Sequence, residues 1–219
     1  MRMAIFIFLP FPNAAIDPSV QLEVAMRIDP AAFRRVDLRV HAFLEDVPLH
    51  DVWRIELSHR DNSPDIRDVH RAVFGEGQQV ANPIVKALFG FRAFLGRLFG
   101  WDRDRSEYAS RSFSSRLTDD DRAASLEPPG SREGPFRSLY VFPNEALAEA
   151  INATVHAFSC FALMREEDRD VFYWAIYVRP GSARSRFYMA LIDPFRRWVV
   201  YPSILRRIQT AWRTAPAFQ

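Results

Sequence analysis

"FYMALIDPFRRWVVYPSILRRIQTAW", residues 187–212, decides what kind of fold this chain adopts. Phe187, Leu191, Pro194, Trp198, Tyr201, Leu205, Ile208 and Trp212 recur at steps of three and four, the spacing that lines up one face of an α-helix. Tyr188, Ile192, Phe195 and Val199 form a second apolar row beside the first. A stripe this broad and aromatic needs a wide partner, and a curved antiparallel sheet supplies one where a single helix would not. Two prolines interrupt the pattern. Asp193–Pro194 can cap and restart a helical segment, and Pro202 can do the same or bend it. A bent helix over a curved sheet need not pack solid.

The sheet is legible upstream. "HDVWRIELS", residues 50–58, alternates Trp53, Ile55 and Leu57 against Arg54 and Glu56, the pattern of a half-buried strand. "FRSLYVF" (136–142), "ATVHAFSCFALM" (153–164) and "VFYWAIYVR" (171–179) read as three more strands. The charged turn "REEDRD" joins the last two as an antiparallel hairpin. The predicted class is therefore α+β, a curved antiparallel sheet gripping a long C-terminal helix, with two short helices near the first strands.

Those two helices lie between residues 63 and 101. Ser63, Pro64 and Asp65 form a helix start ahead of the stripe Ile66, Val69 and Val73. "NPIVKALFGFRAFLGRLFGW" (82–101) is apolar round most of its circumference, so it must touch neighbours on two sides or something outside the domain. Residues 102–135 change to charge, serine, glycine and proline, and read as a flexible insertion. Residues 1–30 read as an N-terminal extension and 31–215 as one domain.

Composition narrows the function classes. The 219 residues include 19 phenylalanines, which points to a wide or hollow interior lined by rings. A net charge of only +2 argues against a partner whose many phosphates must be neutralised, so no nucleic acid is expected. Cys160 is the only cysteine, which excludes an intrachain disulfide and a cysteine-based zinc site, and its apolar strand marks it as a structural thiol. "MRMAIFIFLPFP" is too short to span a bilayer, and Pro10 and Pro12 break it as a signal peptide. The expected location is cytoplasmic. The outer flank of 83–99 remains a surface that could meet a membrane or a twin subunit.

Three stretches carry a resemblance: "NPIVKALFGFRAFLGRLFGW", "EALAEAINATVHAFSCFAL" and "RFYMALIDPFRRWVVYPSILRR". Together with the order of elements they resemble the domain-of-unknown-function 2867 family, and more broadly the START-like (SRPBCC) helix-grip superfamily. The terminal segment matches at Tyr188, Met189, Ile192, Pro194 and Phe195, with Arg196 where the family commonly has histidine. In the middle motif His156 fits, and Thr154 replaces a usual acidic residue. The superfamily implies a hydrophobic cavity between the sheet and the C-terminal helix. The family itself implies no chemistry.

Signatures of catalysis are missing: there is no phosphate loop, no dinucleotide fingerprint, no nucleophile elbow and no zinc-protease helix. Neither a cofactor nor a metal is predicted. His50 and Asp51, as neighbours on a strand, are expected on opposite faces and unable to share an ion. His41, His59 and His70 read as surface residues. Glu166, Glu167 and Asp168 read as a solvated turn, and Arg196, Arg197, Arg206 and Arg207 as the solvated back of the terminal helix.

His156 is the exception, lying mid-strand with Phe158 and Cys160 on its side. It reads either as a hydrogen-bonded core residue or as a polar contact inside the cavity. The preferred function is binding of a hydrophobic or lipid-like molecule. Phe158, Tyr173, Trp174, Tyr177, Leu191, Phe195 and Trp198 are the expected lining. Two alternatives stand beside it: a cyclase/aromatase- or hydrolase-like enzyme on the same scaffold with His156 as acid–base residue, and an interaction protein docked through 83–99.

Overall fold

Five successive strands form a meander: β3 (Arg132–Glu133), β4 (Phe136–Val141), β5 (Glu145–Ile151), β6 (Val155–Arg165) and β7 (Arg169–Pro180). Strand β2 (Leu49–Ser58) then pairs with β7, and β1 (Ala25–Arg27) with β2. The result is one antiparallel sheet of seven strands in the order β1-β2-β7-β6-β5-β4-β3. With the helices that cover it, this is the predicted α+β class. The computed structural model describes residues 25–58, 66, 67, 69, 110–133, 136–151, 155–166, 169–180, 193, 194 and 196–214. The expected helix over 82–101 lies outside these.

The central strands are long apolar runs because both of their faces are buried. Alternation sends Val171, Tyr173, Ala175 and Tyr177 of β7 to one face, and Phe172, Trp174, Ile176 and Val178 to the other. Strand β6 splits the same way, with Phe158 and Cys160 on the first face and Phe161 and Leu163 on the second. No residue of β7 from Val171 to Val178 is more than 9% exposed, so neither face is left to solvent.

The first face lies under short elements. Helix α1 (Pro30–Phe33) is capped by Asp29, whose carboxylate accepts from Ala31 N at 2.7 Å, with Pro30 as its first residue. Helix α2 (Arg39–Phe43) brings in Val40 and Phe43. A 3₁₀ turn (Phe113–Arg116) and helix α3 (Asp119–Ala124) follow, the latter opened by a Thr118/Asp121 capping box. Phe113 and Leu117 are core residues. The expectation of a flexible insertion over 102–135 is therefore corrected for 110–133, which packs on the sheet and adds its edge strand β3.

Charge pairs rather than apolar density hold this segment. Arg39 grips both oxygens of Asp121 at 2.9 Å, and Arg116 grips those of Asp46 at 2.6 and 2.8 Å. Both carboxyls are lowered to about 2, first by the hydrogen bonds from their guanidinium partners. A depressed carboxylate stabilises the fold fully above its ordinary value of 3.8, and that contribution is lost as pH falls through about 2. Asp121 is nearly buried, so we expect urea-melt stability to fall by about 2 kcal/mol between pH 4 and 2 on its account. Asp46, 43% exposed, adds less. Glu145 works in the opposite sense, since burial holds it above its ordinary value. Asp121→Asn should flatten this part of the pH profile, and an unchanged profile would contradict the assignment.

The second face lies under the C-terminal segment. A π turn (Arg196–Val200) runs into helix α4 (Tyr201–Thr214), with Pro202 in the first turn, where its missing N–H is harmless. Tyr201, Leu205, Ile208 and Trp212, spaced four, three and four apart, are buried against Ile55, Phe161, Phe172, Trp174 and Ile176. Ile66 and Val69 join this cluster, and residues 66, 67 and 69 are helical, as the Ser63 start predicts. Residues 187–192 and 195 lie outside the described set. Trp198 corrects the stripe: it is 77% exposed, because the π turn breaks the helical step between 198 and 201.

Candidate functional site

Among the described residues, each face of the sheet carries a buried polar cluster. On the α2 face the acceptors are two glutamates of β5, two strand positions either side of Leu147, and the donors are backbone N–H groups together with the side chains of Tyr140, Ser112 and His156. Glu145 accepts from Arg39 N and Val40 N at 2.8 Å each, closing the start of α2, and from Tyr140 Oη. Burial pushes Glu145 up, and it pushes Tyr140 well up together with the Glu145 charge. Glu149 accepts from Phe113 N at 3.1 Å and from Ser112 Oγ, holding the 3₁₀ turn, and pairs with His156 Nε2 at 2.8 Å. Burial raises Glu149, but the bonds from His156, Ser112 and Phe113 outweigh it and hold the carboxyl below its ordinary range.

His156 is 3% exposed, stacked on Phe158 at 4.2 Å and met edge-on by Phe113 at 4.8 Å. The polar side chain that faces it is Glu149. The imidazole is enclosed by rings, and its carboxylate is committed to protein donors. This cluster fastens the covering layer to the sheet. Cys160 lies near it, buried, with its thiol raised well above the ordinary value by burial.

The expected lining residues separate. Phe158, Tyr173 and Tyr177 belong to the α2 face and Trp174 to the α4 face, so Phe158 and Trp174 cannot border one cavity. The two-residue period of the strands makes this unavoidable. Trp198 points to solvent, while Leu191 and Phe195 lie outside the described residues. A surface cleft of about 380 Å³, lined by Arg39, Phe43, Asp46 and Arg116 among others, opens on the α2 side. Its guanidiniums are the ones already paired with Asp121 and Asp46. His41, expected at the surface, packs edge-on against Phe33 at 4.9 Å, and burial lowers its pKa.

On the α4 face the cluster forms where β2 meets the start of α4. Asp51, almost fully buried, accepts from Tyr201 Oη at 3.0 Å, and Arg196 Nη2 in turn donates to that hydroxyl. Burial raises the Tyr201 phenol, with Arg196 working against the rise. Arg27 Nη2 lies 2.5 Å from Asp51 Oδ1 as an ion pair, out of line for a hydrogen bond. Trp53 and Trp174 meet the Tyr201 ring edge-on at 5.8 and 5.4 Å. Trp174 is itself fixed by its Nε1 donating to Ser159 Oγ at 3.0 Å.

The expectation that His50 and Asp51 lie apart is overturned by a β-bulge. Leu49 pairs with Tyr177 and Asp51 with Ile176, so His50 is an extra residue and the strict alternation fails there. His50 Nε2 lies 3.6 Å from Asp51 Oδ2 and 3.3 Å from Asp193 Oδ1. The three residues offer ligand atoms within 4.8 Å of one another, a spacing a cation could bridge. The charges argue otherwise, since Asp51 already has Arg27 and Asp193 already has Arg197 at 2.8 Å. A dication would meet a guanidinium on each of its carboxylates.

Sequence reasoning missed Asp51, Tyr201 and Arg27 as a group, and Glu145 and Glu149 as a pair. Both had signals. An acidic residue inside a strand pattern with no polar neighbour on its face needs a buried partner, and "EALAE" repeats its glutamates at the strand period. The sequence profile of the family described as "Protein of unknown function (DUF2867)" matches residues 43–203. No curated protein and no solved structure matches the chain. The matched region runs from the end of α2 through every strand from β2 to β7 into the first turn of α4, and the chain belongs to the domain-of-unknown-function 2867 family.

Proposed function

We propose that the chain is a binding module for a small, largely apolar molecule with a polar end, held on the sheet face that α4 covers, in a helix-grip arrangement of the START-like kind. In this reading α4 forms one wall, and Trp53, Trp174 and Ile176 belong to the other. The observation that carries it is the set of buried polar atoms at the head of that face. Trp53 Nε1 and Arg196 Nη1 have no hydrogen-bond partner among the described residues. Buried donors are nearly always bonded, so donors left open beside an aromatic wall support a ligand that meets them.

The enzyme alternative centred on His156 finds no such support, since its cluster lies on the other face with its groups bonded to one another. Docking through 83–99 concerns residues outside the described set. Among the described residues no helix is long and apolar enough to cross a membrane.

Native mass spectrometry of the gently purified chain tests the proposal. The expected result is a species heavier by one small molecule, released by organic extraction, with the emptied chain then taking up 11-(dansylamino)undecanoic acid. A bare chain that also ignores this probe would overturn the reading.

A further inference from the structure

Resting on that binding function, we infer that the polar end of the ligand is a carboxylate, received by Arg196 and Trp53 beside Tyr201. The guanidinium of Arg196 uses Nη2 on the Tyr201 hydroxyl and lies 5.3 Å from the ring centroid, which leaves Nη1 buried and open. Trp53 borders the same ring, and its Nε1 is open too. Both unused donors therefore belong to side chains that border the Tyr201 ring.

The charges select the sign of what they receive. Arg27 is paired with Asp51, and Arg197 with Asp193. Arg196 has only a neutral hydroxyl, and no carboxylate among the described residues comes within ion-pair distance of it. A half-buried guanidinium whose Nη1 is shut off from solvent without a counter-charge is costly, and a monoanion with two acceptor oxygens answers both the charge and the open donors. An alcohol or ester would meet a donor and leave the charge. A metal ion would add to it. The ligand class is thus an apolar monocarboxylic acid.

The test compares 11-(dansylamino)undecanoic acid with its methyl ester by fluorescence titration of the full chain. The acid should bind at least about tenfold more tightly, the scale of one charge-assisted hydrogen bond. Arg196→Gln should remove most of that preference while leaving ester affinity where it was. Trp53→Phe, which keeps the ring and deletes the N–H, should reduce acid binding by a smaller factor. Should Arg196→Gln not fold, the acid-to-ester ratio of the native chain and the Trp53→Phe variant still decide. Equal binding of acid and ester by the native chain overturns the carboxylate inference and leaves the binding function standing. Binding of neither overturns both.

Discussion

Trp212→Ala should lower the unfolding free energy by about 3–5 kcal/mol, among the largest losses any single truncation in this chain would cause. Its ring is fully buried, and it is the last member of the α4 stripe that covers Phe161, Phe172 and Trp174. The cost combines lost burial with a cavity that the sheet, fixed by ladders on both sides, cannot close. Trp198→Ala serves as the control. Trp198 stands 77% exposed just upstream, so its truncation should stay within about 0.5 kcal/mol. Urea denaturation of both variants checks the pair. A large loss at Trp198 with a small one at Trp212 would mean that the segment presents its other side to the sheet.

Glu149→Ala should cost a comparable amount, about 3–5 kcal/mol, for a different reason. Its carboxylate receives His156 from β6 of the sheet, and Ser112 Oγ and Phe113 N from the segment that covers it. Deleting it strands a buried imidazole and a backbone donor rather than an apolar surface. Glu149→Gln, which keeps an acceptor in place, should cost less. Because His156 and Glu149 are in direct contact, the double variant Glu149→Ala/His156→Ala should cost at least about 1 kcal/mol less than the sum of the single changes. Additive losses would show that the two side chains act separately and that the pair is not a unit.

How far the sequence led follows from what each element depends on. Strands β2, β4, β6 and β7 are readable because their apolar runs are rich in aromatic and β-branched residues bounded by turn residues. Strand β5 is not, because "EALAEAI" is built from helix formers, and it becomes a strand only where β4 and β6 offer it two ladders. The α4 stripe was visible from Tyr201 onward. Its extrapolation back through Trp198 failed because a π turn cannot be read from spacing.

The candidate site was harder. Period-two alternation places Phe158 and Trp174 on opposite faces, and that much could be deduced once β6 and β7 were paired. The bulge at His50 could not, since one extra residue changes the register without a sequence mark. Segment 110–124 looked loose because it has only Phe113 and Leu117 as apolar anchors. Its order comes from caps and paired charges whose partners lie far along the chain, such as Arg39 with Asp121 and Arg116 with Asp46.

The most direct measurement of the central claim is a ¹H–¹⁵N spectrum of the five tryptophan indoles during titration with 11-(dansylamino)undecanoic acid, the peaks assigned by single Trp→Phe variants. Ligand bound on the α4 face, with its head at Arg196, predicts a progressive shift of the Trp53 Nε1–H peak and a smaller one at Trp174, whose N–H is already bonded to Ser159. The amide peaks of Phe113 and His156, on the opposite face, should stay in place. Shifts confined to Phe113 and His156, or no shift of any indole at saturating probe, would contradict the account.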